Sequence, residues 1–355
     1  MSLRTSIQDA LNLTRSQRLI EATQKIQAAL SGRTQSASEP VAPAHAKYPG
    51  KSVRPLAQVV QTLQKLKQSQ FTFGKAGRGP SLIEPEIVDG AQFLTRSFSC
   101  KAGSRSYRLY IPKHRPDTQR PLLIMLHGCK QNPSDFAVGT RMNNLAETHG
   151  MLVAYPAQTQ SANPSACWNW FDPGHQLPGM GEPAIIAGLT AEIIKSYEID
   201  RKKVFVAGLS AGGAMAVVMG ETYPALFSAV GVHSGLPYKS ANDVISAFAA
   251  MRGDASYIKA IPKLRTIVFH GDADSTVAPS NGANIVGGAA FSTAERVSGR
   301  YTRRVARDSR GLTLFEHWVL HGGGHAWSGG NAAGSYTDSS GPNASAEMIR
   351  FFLAH

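Results

Sequence analysis

The segment "FVAGLSAGGAMAV", residues 205–217, sets one serine among small residues between two apolar runs. Gly208, Ser210 and Gly212 fit the pattern G-x-S-x-G, in which a serine sits on a sharp turn between a strand and a helix. Such a turn leaves no room for bulk two residues before or after the serine, and glycines meet that demand. A serine at a close strand–helix contact is the alternative, and it explains one or two of the glycines. The complete arrangement favours a nucleophilic Ser210.

A serine hydroxyl is a weak nucleophile unless a base takes its proton and an acid orients that base. Two later polar loops each follow a strand-like run: the first contains Asp272 and Asp274, and the second, rich in glycine, contains His321 and His325. The chain order Ser, Asp, His matches one known arrangement of these groups. In each loop we choose the residue farther from the strand, which predicts Asp274 as the acid and His325 as the base. Asp272 stays open as an alternative orienting acid.

The negative charge that forms on a carbonyl oxygen during acyl transfer needs preorganised amide donors. The helix after Ser210 would present the amide of Ala211 at its N-terminus. A second amide is expected from the loop after an early strand, "LLIMLHGCK", where Gly128 permits a tight turn that aims the Cys129 amide inward. His127 in this loop is expected to anchor the turn by hydrogen bonds.

From residue 85 onward the sequence alternates short β-rich runs with longer helical ones. Two hairpin-like strands followed by strand–helix alternation predict an α/β domain over residues 85–355, with a mostly parallel central sheet flanked by helices. In such a sheet the functional residues gather at the carboxyl ends of the strands. The predicted strands cover residues 91–98, 105–112, 121–128, 151–156, 203–209, 228–235, 265–271 and 313–320. The predicted helices cover residues 141–149, 182–197, 211–223, 242–251, 283–298 and 344–353.

The first 80 residues differ in charge from the rest of the chain. They hold 12 of the 37 Lys and Arg residues but 3 of the 24 acids, so they carry +9 of the formal net charge of +13. Apolar residues at helical spacing predict amphipathic helices over residues 5–31 and 55–67, joined by a Pro-, Ala- and Ser-rich linker. This basic extension either docks on a hydrophobic surface or packs on the α/β domain. No recognised motif accompanies the charge, so nucleic-acid binding is not expected.

Other classes of protein are disfavoured by the composition. No apolar run approaches the roughly 18 residues that span a bilayer. The three cysteines have no metal-ligand spacing, and neither a metal nor another cofactor is expected. Gln8, Asp9 and Asn12 interrupt the apolar segment that a secretory signal would need at the start of the chain, so a cytoplasmic protein is expected.

Taken together, these segments resemble a known family, the esterases grouped with poly(3-hydroxybutyrate) depolymerases, which include feruloyl and acetylxylan esterases. The resemblance implies an α/β-hydrolase fold and a triad of Ser210, Asp274 and His325. It also implies an oxyanion hole made by Cys129 and Ala211. The matching segments, within residues 90–355, are "LHGCKQNPSDFA", "ACWNWF", "VFVAGLSAGGAMA", "HGDADSTVAP" and "GGGHAWSGG".

The same resemblance suggests two further features of the site. Family members often join the cysteine after His-Gly to the cysteine of the Cys-Trp segment, which here would pair Cys129 with Cys167, although a reducing cytoplasm disfavours disulfides. Aromatic side chains suit an apolar acyl cleft, and Trp168, Trp170 and Trp327 are the candidates to line it. Packing within the core or a loop is the alternative role for each of them.

The expected function is that of a cofactor-free serine carboxylesterase that hydrolyses poly(3-hydroxybutyrate) or its oligomers through an acyl-enzyme. The chain looks most like the intracellular depolymerases, so a cytoplasmic location, in part on storage granules, goes with this expectation. A feruloyl, acetylxylan or other short-chain or aromatic esterase is an alternative, because the motifs describe the machinery rather than the pocket. A granule-surface protein with an idle hydrolase domain is a third, which the complete triad argues against.

Overall fold

The computed structural model of the protein describes residues 83–114, 119–254, 261–287, 289, 293–297 and 299–354, with the backbone alone for 293–297. The predicted N-terminal extension, residues 1–80, lies outside these described residues together with its two helices and its linker. The predicted α/β domain is therefore the part of the chain described below.

A sheet of ten strands forms the centre of the described domain. In chain order the strands are β1 (Gln92–Cys100), β2 (Gly103–Ile111), β3 (Arg120–Leu126), β4 (Leu152–Pro156), β5 (Ile199–Leu209), β6 (Ala229–His233), β7 (Arg265–Gly271), β8 (Thr293–Val297), β9 (Tyr301–Arg307) and β10 (Thr313–Leu320). Their spatial order is β1-β2-β4-β3-β5-β6-β7-β10-β9-β8. The pairs from β4 through to β10 are parallel, and the pairs at both edges are antiparallel.

Helices connect and flank the parallel strands. They are α1 (Pro133–Thr140), α2 (Met142–His149), α3 (Gly181–Ser196), α4 (Ala211–Thr222), α5 (Val244–Met251), α6 (Ser280–Ile285) and α7 (Ala344–Leu353). A small parallel pair, β11 (Trp327–Ser328) with β12 (Thr337–Asp338), follows the large sheet. Within the described residues no helix is long and apolar enough to cross a membrane.

The central strands are buried on both faces, and β3 shows why. All seven of its residues are buried. Because side chains alternate across a strand, Leu122 and Ile124 join the core cluster on one face, whereas Leu123 and Met125 join the cluster on the other face. A strand that is covered on both faces reads as a continuous apolar run, which is typical of parallel sheets flanked by helices.

All eight predicted strands are present, and five of the six predicted helices are present with shifts of a few residues at their ends. The predicted helix over residues 283–298 is wrong beyond its first turn. Helix α6 ends at Ile285, and residues 293–297 form β8, which pairs antiparallel with β9. Pairing with a sheet edge overrides the helical spacing of the apolar residues there. Strand β9 and helix α1 are additional elements that the sequence pattern did not indicate.

Candidate active site

Five neighbouring strands bring the predicted site residues to one edge of the sheet. Strands β3, β5, β6, β7 and β10 lie side by side and run parallel, so their carboxyl ends point the same way. The loops that follow β3, β5, β7 and β10 contain Cys129, Ser210, Asp274 and His325, respectively, and β6 lies between β5 and β7. This is the edge at which functional groups gather in open α/β sheets.

Ser210 lies at the turn between β5 and α4 with φ 58° and ψ −121°. An L-residue with a side chain rarely adopts this backbone, and the strain is about 1–3 kcal/mol. The surroundings hold it there: the Ser210 amide donates to the His233 carbonyl at 2.9 Å. A Cβ at Gly212 would overlap the Leu126 carbonyl oxygen, and one at Gly208 would overlap the Gly212 backbone. The two glycines are therefore required by close backbone contacts around the serine.

Asp274 holds the ring of His325. His325 Nδ1 lies 2.7 Å from Asp274 Oδ2, and the acid side chain is fully buried while that of the histidine is 10% exposed. The other oxygen, Oδ1, accepts hydrogen bonds from the Thr276 amide at 2.9 Å and the Val277 amide at 2.8 Å. A carboxylate opposite Nδ1 places the ring proton on that nitrogen, so Nε2 of His325 keeps a free electron pair.

Several donors keep Asp274 charged in this buried position. Burial by itself raises the pKa of its carboxyl group, but hydrogen bonds from His270 and His325, the electrostatic interaction with the His325 ring and the Val277 amide outweigh it. They hold the pKa of Asp274 well below its usual range. A buried and ionised carboxylate beside an imidazole is the arrangement that stabilises an imidazolium.

Asp272, the alternative acid, pairs with the other histidine. Its Oδ2 lies 2.9 Å from His321 Nδ1, and its Oδ1 accepts from the Gly322 amide at 2.7 Å. The two side chains are 42% and 34% exposed, and His321 Nε2 contacts Thr302 Oγ1 at 3.0 Å. The structure thus sorts the two acids and two histidines into one buried and one exposed pair.

The loop after β3 aims the Cys129 amide. His127 Nδ1 donates to the Gly128 carbonyl at 2.8 Å, since its Nε2 accepts from the Gln158 amide at 3.1 Å. Burial lowers the pKa of His127 to about 4 and keeps the ring neutral. A peptide unit is planar, so the bond to the Gly128 oxygen also sets the direction of the Cys129 N–H. His127 is an anchor of the loop, as the sequence predicts.

The Cys129 loop lies directly beside the serine. A Cβ at Gly128 would be 3.6 Å from Ser210 Cβ. Among the described residues, neither the Cys129 amide nor the Ala211 amide donates a hydrogen bond to another protein group. Among the same described residues, no hydrogen bond joins Ser210 Oγ to His325. Hydrogen bonds between catalytic groups often form or shorten only when substrate binds. Two amide donors next to a serine can together stabilise an oxyanion.

Cys129 and Cys167 form a disulfide with their Cα atoms 4.2 Å apart, which is the pairing that the resemblance implies. The bond ties the Cys129 loop to the aromatic segment that follows Cys167. Trp168 strengthens this connection because its Nε1 donates to the His127 carbonyl at 3.1 Å. Cys100 is a free and exposed thiol.

Glu182 at the start of α3 binds the aromatic segment, residues 168–171, which follows Cys167. Its carboxylate accepts from the Asn169 amide at 2.7 Å, from Asn169 Nδ2 at 2.8 Å and from Gln158 Nε2. Burial raises the pKa of Glu182, yet the hydrogen bond and charge of His175 and the bonds from Gln158 and Asn169 outweigh it and lower the pKa. Because the main-chain amide of Gln158 donates to His127 Nε2, this network joins the aromatic segment to the loop of Cys129.

The three candidate tryptophans lie in the core. Trp168, Trp170 and Trp327 are 0%, 5% and 1% exposed. Trp327 stacks on His233 and donates its Nε1 to Ser345 Oγ at 3.0 Å, and Trp170 meets Phe171 edge to face. These are packing contacts, and the predicted contact of these rings with substrate stays a prediction.

Two further histidines support the site and were not singled out from the sequence. His233 binds the Ser210 amide through its carbonyl and accepts from the Ser328 amide at its Nε2, 3.1 Å away. Burial, followed by electrostatic interactions with His270 and His325, lowers the pKa of His233 to about 3, so its ring is neutral. His270 Nε2 lies 2.9 Å from the Val277 carbonyl and 3.5 Å from Asp274 Oδ2. A histidine at or next to the last residue of a core strand is the signal that could have indicated both.

No cluster of three or more His, Cys, Asp or Glu side chains in the described residues is arranged to hold a metal ion.

A mostly parallel sheet flanked by helices, with a strained serine after β5 and an Asp–His pair after two later strands, defines the α/β-hydrolase fold. Within that class the chain belongs to the family described as "Esterase PHB depolymerase", whose model matches residues 105–305.

Curated relatives in this family have different substrates in their names. The chain is 31% identical over 251 residues to poly(3-hydroxyalkanoate) depolymerase C of Paucimonas lemoignei. The aligned region covers 64% of this chain and 60% of that protein. It is 32% identical over 236 residues to probable acetylxylan esterase A of Aspergillus fumigatus, covering 60% of this chain and 62% of that protein. The chain thus spans less than two thirds of the length of these relatives.

Among solved structures, an acetyl xylan esterase from Aspergillus awamori is similar with a TM-score of 0.59 and 21% sequence identity. The similarity covers 74% of this chain and 98% of that chain. At this identity the comparison supports the fold alone.

Proposed function

We propose that the protein is a serine carboxylesterase with Ser210 as nucleophile, His325 as general base and Asp274 as the acid that orients it. One observation carries this proposal: the 2.7 Å contact between His325 Nδ1 and the buried Asp274, beside a serine held at φ 58° on the same sheet edge. The family assignment supports the same chemistry.

In the proposed reaction, His325 Nε2 takes the proton of Ser210 Oγ while the oxygen attacks the ester carbonyl. The amides of Cys129 and Ala211 then hold the negative charge on the carbonyl oxygen. Collapse of this intermediate breaks the bond to the leaving alcohol, which receives the proton from His325 and leaves an acyl-enzyme. Water repeats the sequence on the acyl-enzyme, with His325 again as base, and releases the carboxylic acid and free Ser210.

The proposed substrate is poly(3-hydroxybutyrate) or its oligomers. The similarity to the depolymerases of Paucimonas lemoignei and Ralstonia pickettii supports it, the latter being 28% identical over 262 residues. A second candidate is an acetylxylan or feruloyl esterase, because acetylxylan esterase A of Aspergillus fumigatus and feruloyl esterase B of Neurospora crassa are 32% and 31% identical over their matched regions.

Product release separates the two candidates. The purified chain is given amorphous poly(3-hydroxybutyrate), acetylated xylan and methyl ferulate, and the released 3-hydroxybutyrate, acetate and ferulate are measured. A polyester hydrolase releases 3-hydroxybutyrate at the highest rate, whereas faster release of acetate or ferulate would assign the chain to the second candidate. Ser210→Ala is the control for the mechanism: hydrolysis that survives this substitution would contradict the role of Ser210.

The location of the protein, including its granule association, stays a prediction. The Cys129–Cys167 bond bears on it, because disulfides persist mainly in oxidising compartments and a cytoplasmic enzyme would be expected to hold reduced thiols. Thiol titration of the unfolded protein, isolated under conditions that trap thiols, distinguishes the two: one free thiol favours an oxidising compartment, and three favour the cytoplasm. Removal of residues 1–80 tests the granule, since a docking extension should matter for granules and not for a soluble ester.

A further inference from the structure

We propose that Gln131 is a positioning residue of the oxyanion hole, held by Asp135 and Ser335, and that this cluster couples the loop of Cys129 to the segment that follows His325. The proposal rests on the esterase mechanism given above. None of the three residues touches the reacting atoms in that mechanism.

The side-chain amide of Gln131 holds the residue before Cys129. Its Oε1 accepts from the Gly128 amide at 2.9 Å, and the Gln131 main-chain amide donates to the Gly128 carbonyl at 3.3 Å. Gly128 is thus bound on both sides by one residue three positions later, in addition to its bond from His127. Since the Gly128 carbonyl and the Cys129 N–H belong to one planar unit, rotation of Gly128 would turn the amide donor away from the substrate.

The neighbours of Gln131 determine which way its amide points. Its Nε2 donates to Asp135 Oδ2 at 3.0 Å and to the Ser335 carbonyl at 3.0 Å. A carbonyl and a carboxylate only accept hydrogen bonds, so the NH₂ group must face them and the amide oxygen must face Gly128. Gln131 and Asp135 are 4% and 0% exposed, so water cannot replace either partner.

Asp135 and Ser335 form the second half of the cluster. The Ser335 amide donates to Asp135 Oδ1 at 2.9 Å, and Ser335 Oγ donates to Oδ2 at 2.5 Å. Backbone packing supports the same contact, because the Asn331 amide binds the Gly139 carbonyl at 2.8 Å and a Cβ at Gly334 would overlap Gly139. Helix α1 and residues 331–335 therefore cannot move apart without breaking buried bonds.

The far side of the cluster belongs to the segment after His325. This segment begins with β11, where the Ser328 amide binds His233, and it reaches Ser335 before β12. The base of the mechanism is thus followed by two anchors, one beneath Ser210 and one on the loop of Cys129. A shift of either loop is transmitted to the other through Asp135.

Gln131→Met tests the proposal, because it keeps the volume and removes both hydrogen-bonding groups. Asn143→Leu is the matched control: it also removes a buried side-chain amide, one that accepts from the Tyr155 hydroxyl at 2.7 Å on α2. For p-nitrophenyl butyrate we expect Gln131→Met to lower kcat by about 10- to 100-fold with KM changed less than about 2-fold. The affinity for a trifluoromethyl ketone inhibitor should fall in parallel with kcat/KM, and Asn143→Leu should lower Tm with kcat retained.

Gln131→Glu gives a second readout that a purely structural role would not produce. The new carboxyl group can still accept from the Gly128 amide, but its other oxygen faces the carboxylate of Asp135. The two carboxyl groups can form a hydrogen bond with each other only when one of them holds a proton. Burial and the like charge raise the pKa of the introduced carboxyl group. His127 and Tyr336 are two titratable groups that interact with Asp135, and both stay neutral near pH 6–8, because burial lowers the pKa of His127 to about 4 and raises that of Tyr336. The ratio of variant to wild-type kcat/KM should therefore rise as the pH falls.

The outcomes separate this proposal from the one on which it rests. If the wild-type chain lacks esterase activity that depends on Ser210, the proposed function fails. If the wild type is active and Gln131→Met loses Tm but keeps kcat within about 2-fold, as Asn143→Leu does, the positioning role is overturned. Should Gln131→Met not fold, Gln131→Glu decides, and a ratio that stays flat between pH 5.5 and 8.5 overturns the proposal.

Discussion

Asp274→Asn changes a single atom that faces His325, and the structure determines which atom it is. Oδ1 of Asp274 accepts from two backbone amides at 2.9 and 2.8 Å, and Oδ2 faces His325 Nδ1 at 2.7 Å. An asparagine keeps its oxygen on the two amides, because an NH₂ group cannot accept from them. Its NH₂ group therefore replaces Oδ2, and His325 must turn its Nδ1 into an acceptor. The ring proton moves to Nε2, which can then no longer take the proton of Ser210.

The size of the effect follows from this change of tautomer. Replacing the acid of a Ser-His-Asp triad by its amide lowers kcat by about 10⁴, which corresponds to about 5.5 kcal/mol in the activation free energy. The fold should tolerate the substitution, because the bonds of Oδ1 to the backbone remain and His270 Nε2 keeps its closer contact with the Val277 carbonyl at 2.9 Å. We expect the fall in kcat to occur with little change in KM and with a Tm near that of the wild type.

Asp272→Asn is the matched control for this experiment. Its two oxygens are used in the same way, one on the Gly322 amide at 2.7 Å and one on His321 Nδ1 at 2.9 Å. This pair is exposed, so its loss should cost at most about 1 kcal/mol of stability and leave kcat within a factor of about 3. Both variants are assayed with p-nitrophenyl butyrate under saturating conditions. A kcat of Asp274→Asn within about tenfold of wild type, or an equal loss in Asp272→Asn, would refute the assignment.

Three other predictions follow from backbone strain, the disulfide and buried histidines. Ser210→Gly relieves the strain of the positive φ, so it should raise the free energy of unfolding by about 1 kcal/mol while abolishing hydrolysis. A free energy of unfolding that is unchanged or lower in urea denaturation would contradict the strain at Ser210. The double substitution Cys129→Ser and Cys167→Ser removes the disulfide and should cost about 2–4 kcal/mol of stability. It should also lower kcat more than it changes KM. A retained kcat would show that the disulfide does not position the Cys129 amide. Burial, followed by electrostatic interactions with His270 and Arg304, lowers the pKa of His317 from 6.5 to about 4. The neutral ring therefore contributes fully to stability above pH 6.5, and this contribution is lost as the pH falls toward 4. The free energy of unfolding should change over this range with a slope of up to about 1.4 kcal/mol per pH unit. His317→Gln should make the pH dependence of unfolding shallower by about one proton, and an unaltered slope would show that the ring is not neutral in the folded state.

The sequence predicted the local geometry of the turn at Ser210. The turn at Ser210 could be recognised because its requirements concern neighbours within two residues, and Gly208 and Gly212 meet them in the structure. Strands β3 to β7 could be recognised because each contains a short apolar run bounded by turn residues. The helix predicted over residues 283–298 failed for the opposite reason: the partner of β8 is the separate strand β9, and pairing between strands leaves no signal within one window.

The chain alone left open which acid pairs with which histidine. Asp272 and Asp274 are two residues apart, His321 and His325 are four apart, and either acid could orient a base. The answer comes from the parallel register of β7 and β10, which sets Gly271 opposite Leu320 and brings the two loops together. In that register Asp272 meets the exposed His321, and Asp274 meets the buried His325.

The sequence by itself thus determined the class of protein, the sharp turn at Ser210 and the order of the loops that contain Ser210, Asp274 and His325, because those features depend on residues close together in the chain. The tertiary structure decided the Asp274–His325 pair, the disulfide and the contact of Gln131 with Ser335. These contacts join residues 51, 38 and 204 positions apart. The physical reason is that hydrogen bonds in a buried site depend on which loops the sheet places side by side, and that placement is a property of the whole packed domain.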